Sequence, residues 1–120
     1  MTSAIDPSAI QELFTAFGTV SIRRMFGGAG LYADGVMFAL WQNTVIYLKA
    51  DAVSAPAFQR EGMTPFSYPT KTGSRVITSY WRMPERLYDD PDELATWAHD
   101  AMAAARRGAE KKKPGRASGR

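Results

Sequence analysis

Residues 31–49, LYADGVMFALWQNTVIYLK, decide the fold because they contain two short turns between apolar segments. Asp34-Gly35 is a dipeptide typical of tight hairpin turns, and Gln42-Asn43 supplies a second turn. Between the turns, Val36–Trp41 is almost continuously apolar, which predicts a central strand covered on both faces. Thr44–Lys49 alternates between two faces in the manner of a strand. Strands joined by turns this short must be antiparallel neighbours.

The segment before these hairpins predicts a helix followed by one long strand. Asp6 is a favourable cap, Pro7 is a favourable first helical residue, and apolar residues recur at helical spacing over residues 7–17. Residues 20–33 are strand-like, although Gly27-Gly28-Ala29-Gly30 interrupts them. We interpret these glycines as a bulge or bend within the strand. The alternative, a phosphate-binding loop, would require them to lead into a helix.

The segment after the hairpins predicts a short helix, a second hairpin and a long final helix. The short helix lies roughly over residues 52–61. The hairpin strands cover residues 66–70 and 75–82, and Pro69 places the first of them at the sheet edge because proline cannot donate to a strand ladder. The run Asp90-Pro91-Asp92-Glu93 has the pattern of a capping box with proline at the first helical position, so it predicts the start of the final helix.

The order of elements predicts an α+β protein. One helix, three strands, a second helix, two strands and a last helix fit a two-layer arrangement, in which a five-stranded antiparallel sheet has the helices packed against it. Gly108 is predicted to end the last helix. Residues 1–108 therefore form one domain, and residues 109–120, which contain no large apolar side chain, form a disordered basic tail.

Positive charge is concentrated at the C-terminal end of the chain. The net charge is +3, but residues 106–120 hold seven basic residues and one acid, so the rest of the chain is mildly acidic. Electrostatic attraction to nucleic acid is therefore expected mainly from this tail. The candidate contacts there are Lys111, Lys112, Lys113 and Arg116. The alternative is a solvated end that only aids solubility.

The basic residues of the strands form a second candidate nucleic-acid site. They are Arg23, Lys49, Lys71, Arg75 and Arg82, with Tyr68, Tyr80 and Trp81 nearby in the sequence. Basic side chains interleaved with aromatic rings can contact phosphates and stack on bases. The alternative is an ordinary solvated sheet face with the aromatic rings in the core, and the acidic balance of the folded part favours that alternative.

The sequence offers no assembled catalytic or metal-binding set. His99 is the single histidine and cysteine is absent, which leaves no Ser-His-Asp arrangement and no ligand set of the usual zinc type. The acids between Asp89 and Glu93 are explained by helix capping. We therefore expect no enzyme activity, no metal and no cofactor.

Location is inferred from apolar patterning. The longest apolar run, Val36–Trp41, is far shorter than the roughly 20 residues that cross a bilayer, and no apolar leader is visible. We expect a cytoplasmic protein with no membrane association.

Four stretches, taken in order, carry a resemblance to a known family. They are MFGGAGLY at 25–32, YLKAD at 47–51, SYWRMP at 79–84 and DPDEL at 90–94. Over about residues 5–107 the chain resembles the N-terminal domain of the TfoX/Sxy competence regulators. The resemblance implies a two-layer fold of the kind seen in secretion chaperones, a link to activation of competence genes together with the cyclic-AMP receptor protein, and no catalytic residues. Full-length members carry a second, C-terminal domain, where this chain has its basic tail.

Two functions follow as expectations. The first is a non-enzymatic regulator or adaptor that binds a protein partner or a second copy of itself, with weak attraction of nucleic acid by the tail. The alternative is a chaperone-like or structural homodimer that needs no nucleic acid.

Overall fold

The computed structural model describes residues 6–25 and 27–112, which form one antiparallel sheet against a layer of helices. The elements are α1 (Pro7–Leu13), β1 (Ser21–Met25), β2 (Gly28–Ala33), β3 (Val36–Gln42), β4 (Val45–Lys49), α2 (Ala55–Arg60), β5 (Pro65–Thr70), β6 (Gly73–Arg82), a 3₁₀ helix (Glu85–Asp89) and α3 (Pro91–Lys112). The strand order is β1-β2-β3-β4-β6-β5. The α+β class and the antiparallel sheet are confirmed, but the sheet has six strands and not five.

The sixth strand comes from the glycine run. The chain reverses direction between Met25 and Gly28, which pair across a new hairpin, and Gly27 has a φ of +80°. Gly28 lies so close to β3 that an added Cβ would come within 2.4 Å of the carbonyl oxygen of Trp41. The prediction of one long strand over residues 20–33 was therefore wrong. The glycines lead into β2 and not into a helix, which removes the phosphate-loop interpretation.

One face of the sheet carries the core. Leu31, Ala39, Leu48 and Trp81 are paired in register across β2, β3, β4 and β6, and all four are buried. They belong to the same buried cluster as apolar residues of α3, the helix that lies across β3 and β4. The predicted alternation of β4 is confirmed, because its residues are buried and half-buried in turn.

The first helix is shorter than predicted. The carboxylate of Asp6 accepts hydrogen bonds from the backbone N–H groups of Ser8 and Ala9 at 3.0 and 3.3 Å, so the predicted cap is confirmed. The α-helix nevertheless ends at Leu13, and residues 14–17 form turns. The side-chain amide of Gln11 explains how the exit is fixed, since it donates to the carbonyl of Gly18 and accepts from the N–H of Val20.

The last helix is longer than predicted. It continues through Gly108 to Lys112, so the prediction that it ends at Gly108 was wrong. An ion pair stabilises this region, because the guanidinium of Arg107 donates to both carboxylate oxygens of Asp51 at 2.6 and 2.9 Å. Residues 113–120 lie outside the described part of the chain, and with them the rest of the predicted tail.

The capping box at the start of α3 is half formed. The backbone N–H of Glu93 donates to the carboxylate of Asp90 at 3.1 Å, as predicted. The carboxylate of Glu93, however, accepts from Arg86 at 2.7 and 2.9 Å and from the indole of Trp97 at 3.3 Å. The glutamate therefore ties the 3₁₀ helix to α3 and does not close the box.

The strand predictions around the second hairpin are confirmed. β5 lies at the edge of the sheet, where Pro69 needs no ladder donor. Pro56 sits in the first turn of α2, where its missing N–H costs nothing. No helix of the described residues is long and apolar enough to cross a membrane.

Candidate nucleic-acid interface

The second face of the sheet presents a continuous row of residues that lie outside the core cluster formed by the described residues. Arg23, Gly30, Leu40, Tyr47 and Arg82 are paired in register across β1, β2, β3, β4 and β6. In the four inner strands, each member of this row is next in sequence to one of the four buried residues described above. The neighbouring pairs are Gly30 and Leu31, Leu40 and Ala39, Tyr47 and Leu48, and Arg82 and Trp81. Since neighbouring residues of a strand point to opposite faces, the row lies on the face away from the core.

We call this surface the open face. Its members beside the row are Met25, Tyr32, Met37, Lys49, Phe66, Tyr68, Arg75 and Tyr80. The apolar members stand outside the core cluster formed by the described residues. The prediction that β3 is covered on both faces was therefore wrong, because Met37 and Leu40 stay half-exposed on this side.

Aromatic rings form a connected patch at one side of the open face. The rings of Tyr47 and Phe66 have centroids 4.9 Å apart, and those of Phe66 and Tyr68 are 6.1 Å apart. Phe66 and Tyr68 also line a groove of about 380 Å³ together with Met25, Leu40 and Gln42. Tyr68 is 40% exposed, so part of this aromatic surface faces water.

Gly30 lets the neighbouring side chains close over the middle of the sheet. A Cβ at Gly30 would come within 2.9 Å of the sulfur of Met37 and within 3.0 Å of Met25 and Tyr32. The absence of a side chain at this position brings a tyrosine and two methionines together into an apolar floor.

Two cations are held on aromatic rings of the open face. The guanidinium carbon of Arg23 lies 4.9 Å from the ring centre of Tyr32, and the ammonium of Lys49 lies 4.8 Å from that of Tyr80. Such cation–π contacts orient the charged groups above the rings. Burial, together with a smaller contribution from the nearby Tyr32, raises the pKa of Tyr80 to about 12. The Tyr80 hydroxyl therefore stays neutral and can donate a hydrogen bond at neutral pH.

Charge is separated between the two layers of the protein. The six strands contain Arg23, Arg24, Lys49, Arg75 and Arg82 but no aspartate or glutamate. The acids that precede residue 106 all lie in helices, caps or loops. The mildly acidic balance of the folded part therefore hides a basic sheet beside an acidic helical layer.

The basic residues predicted to lie on or beside strands occupy different places in the sheet. Arg23 and Arg82 lie at the two ends of the open row, and Arg75 is paired with Tyr68 in β6 and β5. Arg82 is also 3.6 Å from the exposed carboxylate of Glu85, which follows β6. Lys71 is exposed in the turn between β5 and β6.

Other predicted residues stand apart from this surface. Trp81 is buried in the core, where its indole N–H donates to the carbonyl of Thr78 at 3.0 Å. Lys111 and Lys112 close α3, whereas Lys113 and Arg116 lie outside the described residues. Sequence reasoning missed Tyr32, Tyr47 and Phe66. The signal for Tyr32 and Tyr47 was their position next to the buried Leu31 and Leu48. Phe66 carries no such signal, and the folded sheet was needed to bring its ring beside that of Tyr47.

The helical layer holds the strongest ion pairs. Arg86 bonds to the carboxylates of Glu61 and Glu93, each at 2.7 Å, and its guanidinium holds the pKa of both carboxyl groups below the usual range. The hydrogen bonds from Arg107 likewise hold the pKa of Asp51 well below its usual range. These pairs connect α2, α3 and the segments around them, so they serve the architecture.

The remaining titratable groups do not form a reactive centre within residues 6–25 and 27–112. His99 is exposed and its ring lies 4.9 Å from that of Phe17. In the same residues no three histidine, aspartate or glutamate side chains are grouped so as to hold a metal ion.

Comparison with known proteins agrees with the sequence motifs. The family model of the TfoX N-terminal domain matches residues 12–105. The chain is 31% identical over 71 residues to the DNA transformation protein TfoX of Haemophilus influenzae, a match that covers 58% of this chain and 33% of that protein. It is 28% identical over 95 residues to protein Sxy of Escherichia coli, with 79% of this chain and 45% of that protein covered.

A third relative extends the match over more of the chain. The DNA transformation protein TfoX1 of Aliivibrio fischeri is 28% identical over 113 residues, which are 91% of this chain and 54% of that protein. The chain thus spans between a third and about half of the length of these relatives. The resemblance seen in the sequence is confirmed, and the chain belongs to the TfoX N-terminal domain family.

Proposed function

We propose that this chain is a regulatory protein linked to DNA transformation and competence, which acts by binding and makes or breaks no bond. The observation that carries the proposal is the family match over residues 12–105, since two of the relatives are named DNA transformation proteins. The open face supports a binding role, because it offers aromatic rings and cations without an arrangement of nucleophile and base.

Recruitment is the mechanism that fits this surface. The sheet would contact nucleic acid through Arg23, Arg75 and Arg82, with Lys71 at the hairpin turn. The basic end of the chain would add attraction that depends on distance and salt but not on sequence. The acidic helical layer is left for a protein partner, and we place the whole assembly in the cytoplasm, where DNA is accessible to it.

A genetic experiment tests the proposal. Deleting the gene in its native host should lower the transformation frequency, and a plasmid copy of the full chain should restore it. A plasmid copy with Arg23→Gln and Arg82→Gln should restore it poorly, whereas Arg24→Gln, which removes one charge from the opposite face of β1, should restore it fully. An unchanged transformation frequency after deletion contradicts the proposal.

Self-association is a second candidate, favoured by the half-exposed aromatic patch on the open face and by the free edges of β1 and β5. Two open faces brought together would oppose arginine and lysine to arginine and lysine, with no strand carboxylate to neutralise them. This repulsion makes a homodimer through the open face the weaker candidate. Light scattering on a size-exclusion column decides between a monomer and a stable dimer.

A further inference from the structure

We propose that the open face binds single-stranded nucleic acid, with bases stacking on the patch of Tyr47, Phe66 and Tyr68 and phosphates contacting Arg23, Arg75 and Arg82. This inference rests on the proposed function, because it names the ligand class that the regulatory protein would take. Its new element is the preference for a single strand over a duplex, which the proposed function leaves open.

The chemistry of the open face matches a polyanion. Arg23, Lys49, Arg75 and Arg82 reach this side of the sheet, and no strand contributes a carboxylate. Glu85, whose carboxylate lies 3.6 Å from Arg82, is 81% exposed and sits beyond the end of β6. A phosphate chain that crosses the row would meet cations at both ends and no opposing charge between them.

The apolar part of the face distinguishes a single strand from a duplex. Tyr47, Phe66 and Tyr68 offer connected ring surface, and the groove beside them is lined mainly by apolar side chains. A duplex keeps its base faces stacked inside, so it can use only the cations. A single strand exposes its base faces, and aromatic side chains stack on them with little dependence on sequence.

The dimensions of the row allow several nucleotides to lie across it. Arg23 and Arg82 are separated by four strand-to-strand steps, which is about 19 Å at the usual strand spacing. The aromatic patch lies next to the Arg82 end, since Tyr47 is paired with Arg82 and contacts Phe66. Backbone contacts and base stacking can therefore be made by neighbouring nucleotides.

The test compares a fluorescent mixed-sequence single-stranded 15-mer with the duplex of the same sequence, using anisotropy and the full chain. We expect tighter binding of the single strand. Phe66→Leu and Tyr68→Leu, which keep the apolar bulk, should together weaken single-strand binding by roughly 10-fold and leave duplex binding unchanged. Circular dichroism melting shows whether each variant is folded.

Charge variants separate the sheet from the tail. Arg23→Gln with Arg82→Gln should weaken single-strand binding and reduce its dependence on salt, because phosphate contacts release counterions. Arg24→Gln with Arg60→Gln is the matched control, because it removes the same charge from the opposite face of β1 and from α2. Replacing Lys113, Arg116 and Arg120 by glutamine should weaken duplex binding more than single-strand binding.

Equal affinity for single strand and duplex overturns the inference, and so does full single-strand affinity in a folded leucine variant. A dimer by light scattering that dissociates in a folded Tyr68→Arg variant, without single-strand binding by the wild type, identifies a second copy as the occupant and overturns it too. If the chain binds single strands but its deletion leaves transformation unchanged, the proposed function fails and the interface stands. If transformation needs the gene but the chain ignores single strands, only the interface fails.

Discussion

The two faces of the sheet are built from the same strands but are used differently. On one face, Leu31, Ala39, Leu48 and Trp81 form a buried row beneath α3. On the other, a row of the same strands begins and ends with arginine and leaves its apolar members half-exposed. The strands β3 and β4 therefore carry more apolar side chains than the core buries. The remaining ones, Leu40 and Tyr47, lie on the open face in the same row as Arg23 and Arg82.

The largest expected effect is a difference in the free energy of unfolding lost when a leucine is truncated on the core face and on the open face. Leu48→Ala removes a fully buried side chain, so it should lower the free energy of unfolding by about 2–5 kcal/mol. Leu40→Ala makes the same change on the open face, where the side chain is half-buried, and should cost about 1 kcal/mol. Urea denaturation of both variants measures the difference. Equal losses would mean that the open face is covered in solution.

A second comparison uses two glycines of β2 that both face away from the core. A Cβ at Gly28 would meet the backbone carbonyl of Trp41 at 2.4 Å, whereas a Cβ at Gly30 would meet movable side chains, Met37 first. Gly28→Ala should therefore cost about 1–3 kcal/mol, and Gly30→Ala less than about 1 kcal/mol. Thermal or urea unfolding ranks the two, and the reverse order would contradict the close approach of β3 to Gly28.

A third prediction concerns pH and the helical layer. The hydrogen bonds from Arg107 lower the pKa of Asp51 in the folded state, so the ionised carboxylate stabilises the fold above its unfolded pKa, near 3.8. This contribution is lost as the pH falls through the lower, folded-state value. Asp51→Asn should therefore be less stable than wild type at pH 7, with a smaller difference at pH 3.

The control for that prediction is Arg107→Gln, which removes the other member of the ion pair. Its stability relative to wild type should fall in the same way as that of Asp51→Asn, with the larger loss at pH 7. Urea midpoints at pH 7 and pH 3 provide the measurement. A difference for Asp51→Asn that grows as the pH falls would contradict the role given to the Asp51–Arg107 pair.

The smallest expected effect lies on the open face at high pH. Burial raises the pKa of Tyr80 to about 12, so the folded protein keeps the phenol neutral while the unfolded chain ionises it near pH 10. Its contribution to stability is present below pH 10 and is lost between about pH 10 and 12. Tyr80→Phe should flatten this loss, as stability measurements across that range would show. Parallel pH curves for wild type and variant would contradict it.

Local signals predicted most of the fold. The turns at Asp34-Gly35 and Gln42-Asn43, the caps at Asp6 and Asp90 and the edge position of Pro69 each depend on backbone chemistry within a few residues. The errors arose where distant contacts decide. The backbone of β3 comes too close to Gly28 for a side chain there, and α3 passes Gly108 in a region where Arg107 reaches Asp51, a residue 56 positions away.

The candidate site was predictable only in part, for the same reason. Arg23, Arg75 and Arg82 could be chosen as basic strand residues. The sequence, however, shows only the net charge of the folded part, in which the acids of the helical layer cancel the cations of the sheet. Strand pairing places Arg23 and Arg82 in one row and brings Tyr47 beside Phe66. It also sends Trp81 to the core, although its sequence neighbour Tyr80 stays on the open face.

Binding of single-stranded nucleic acid by the open face is tested most directly by a two-dimensional NMR titration of the full chain with an unlabelled single-stranded 12-mer. We expect amide shift changes at Arg23, Leu40, Tyr47, Phe66 and Arg82, and no change on the exposed side of α3. Changes confined to α3, or to residues after Lys112, would contradict it.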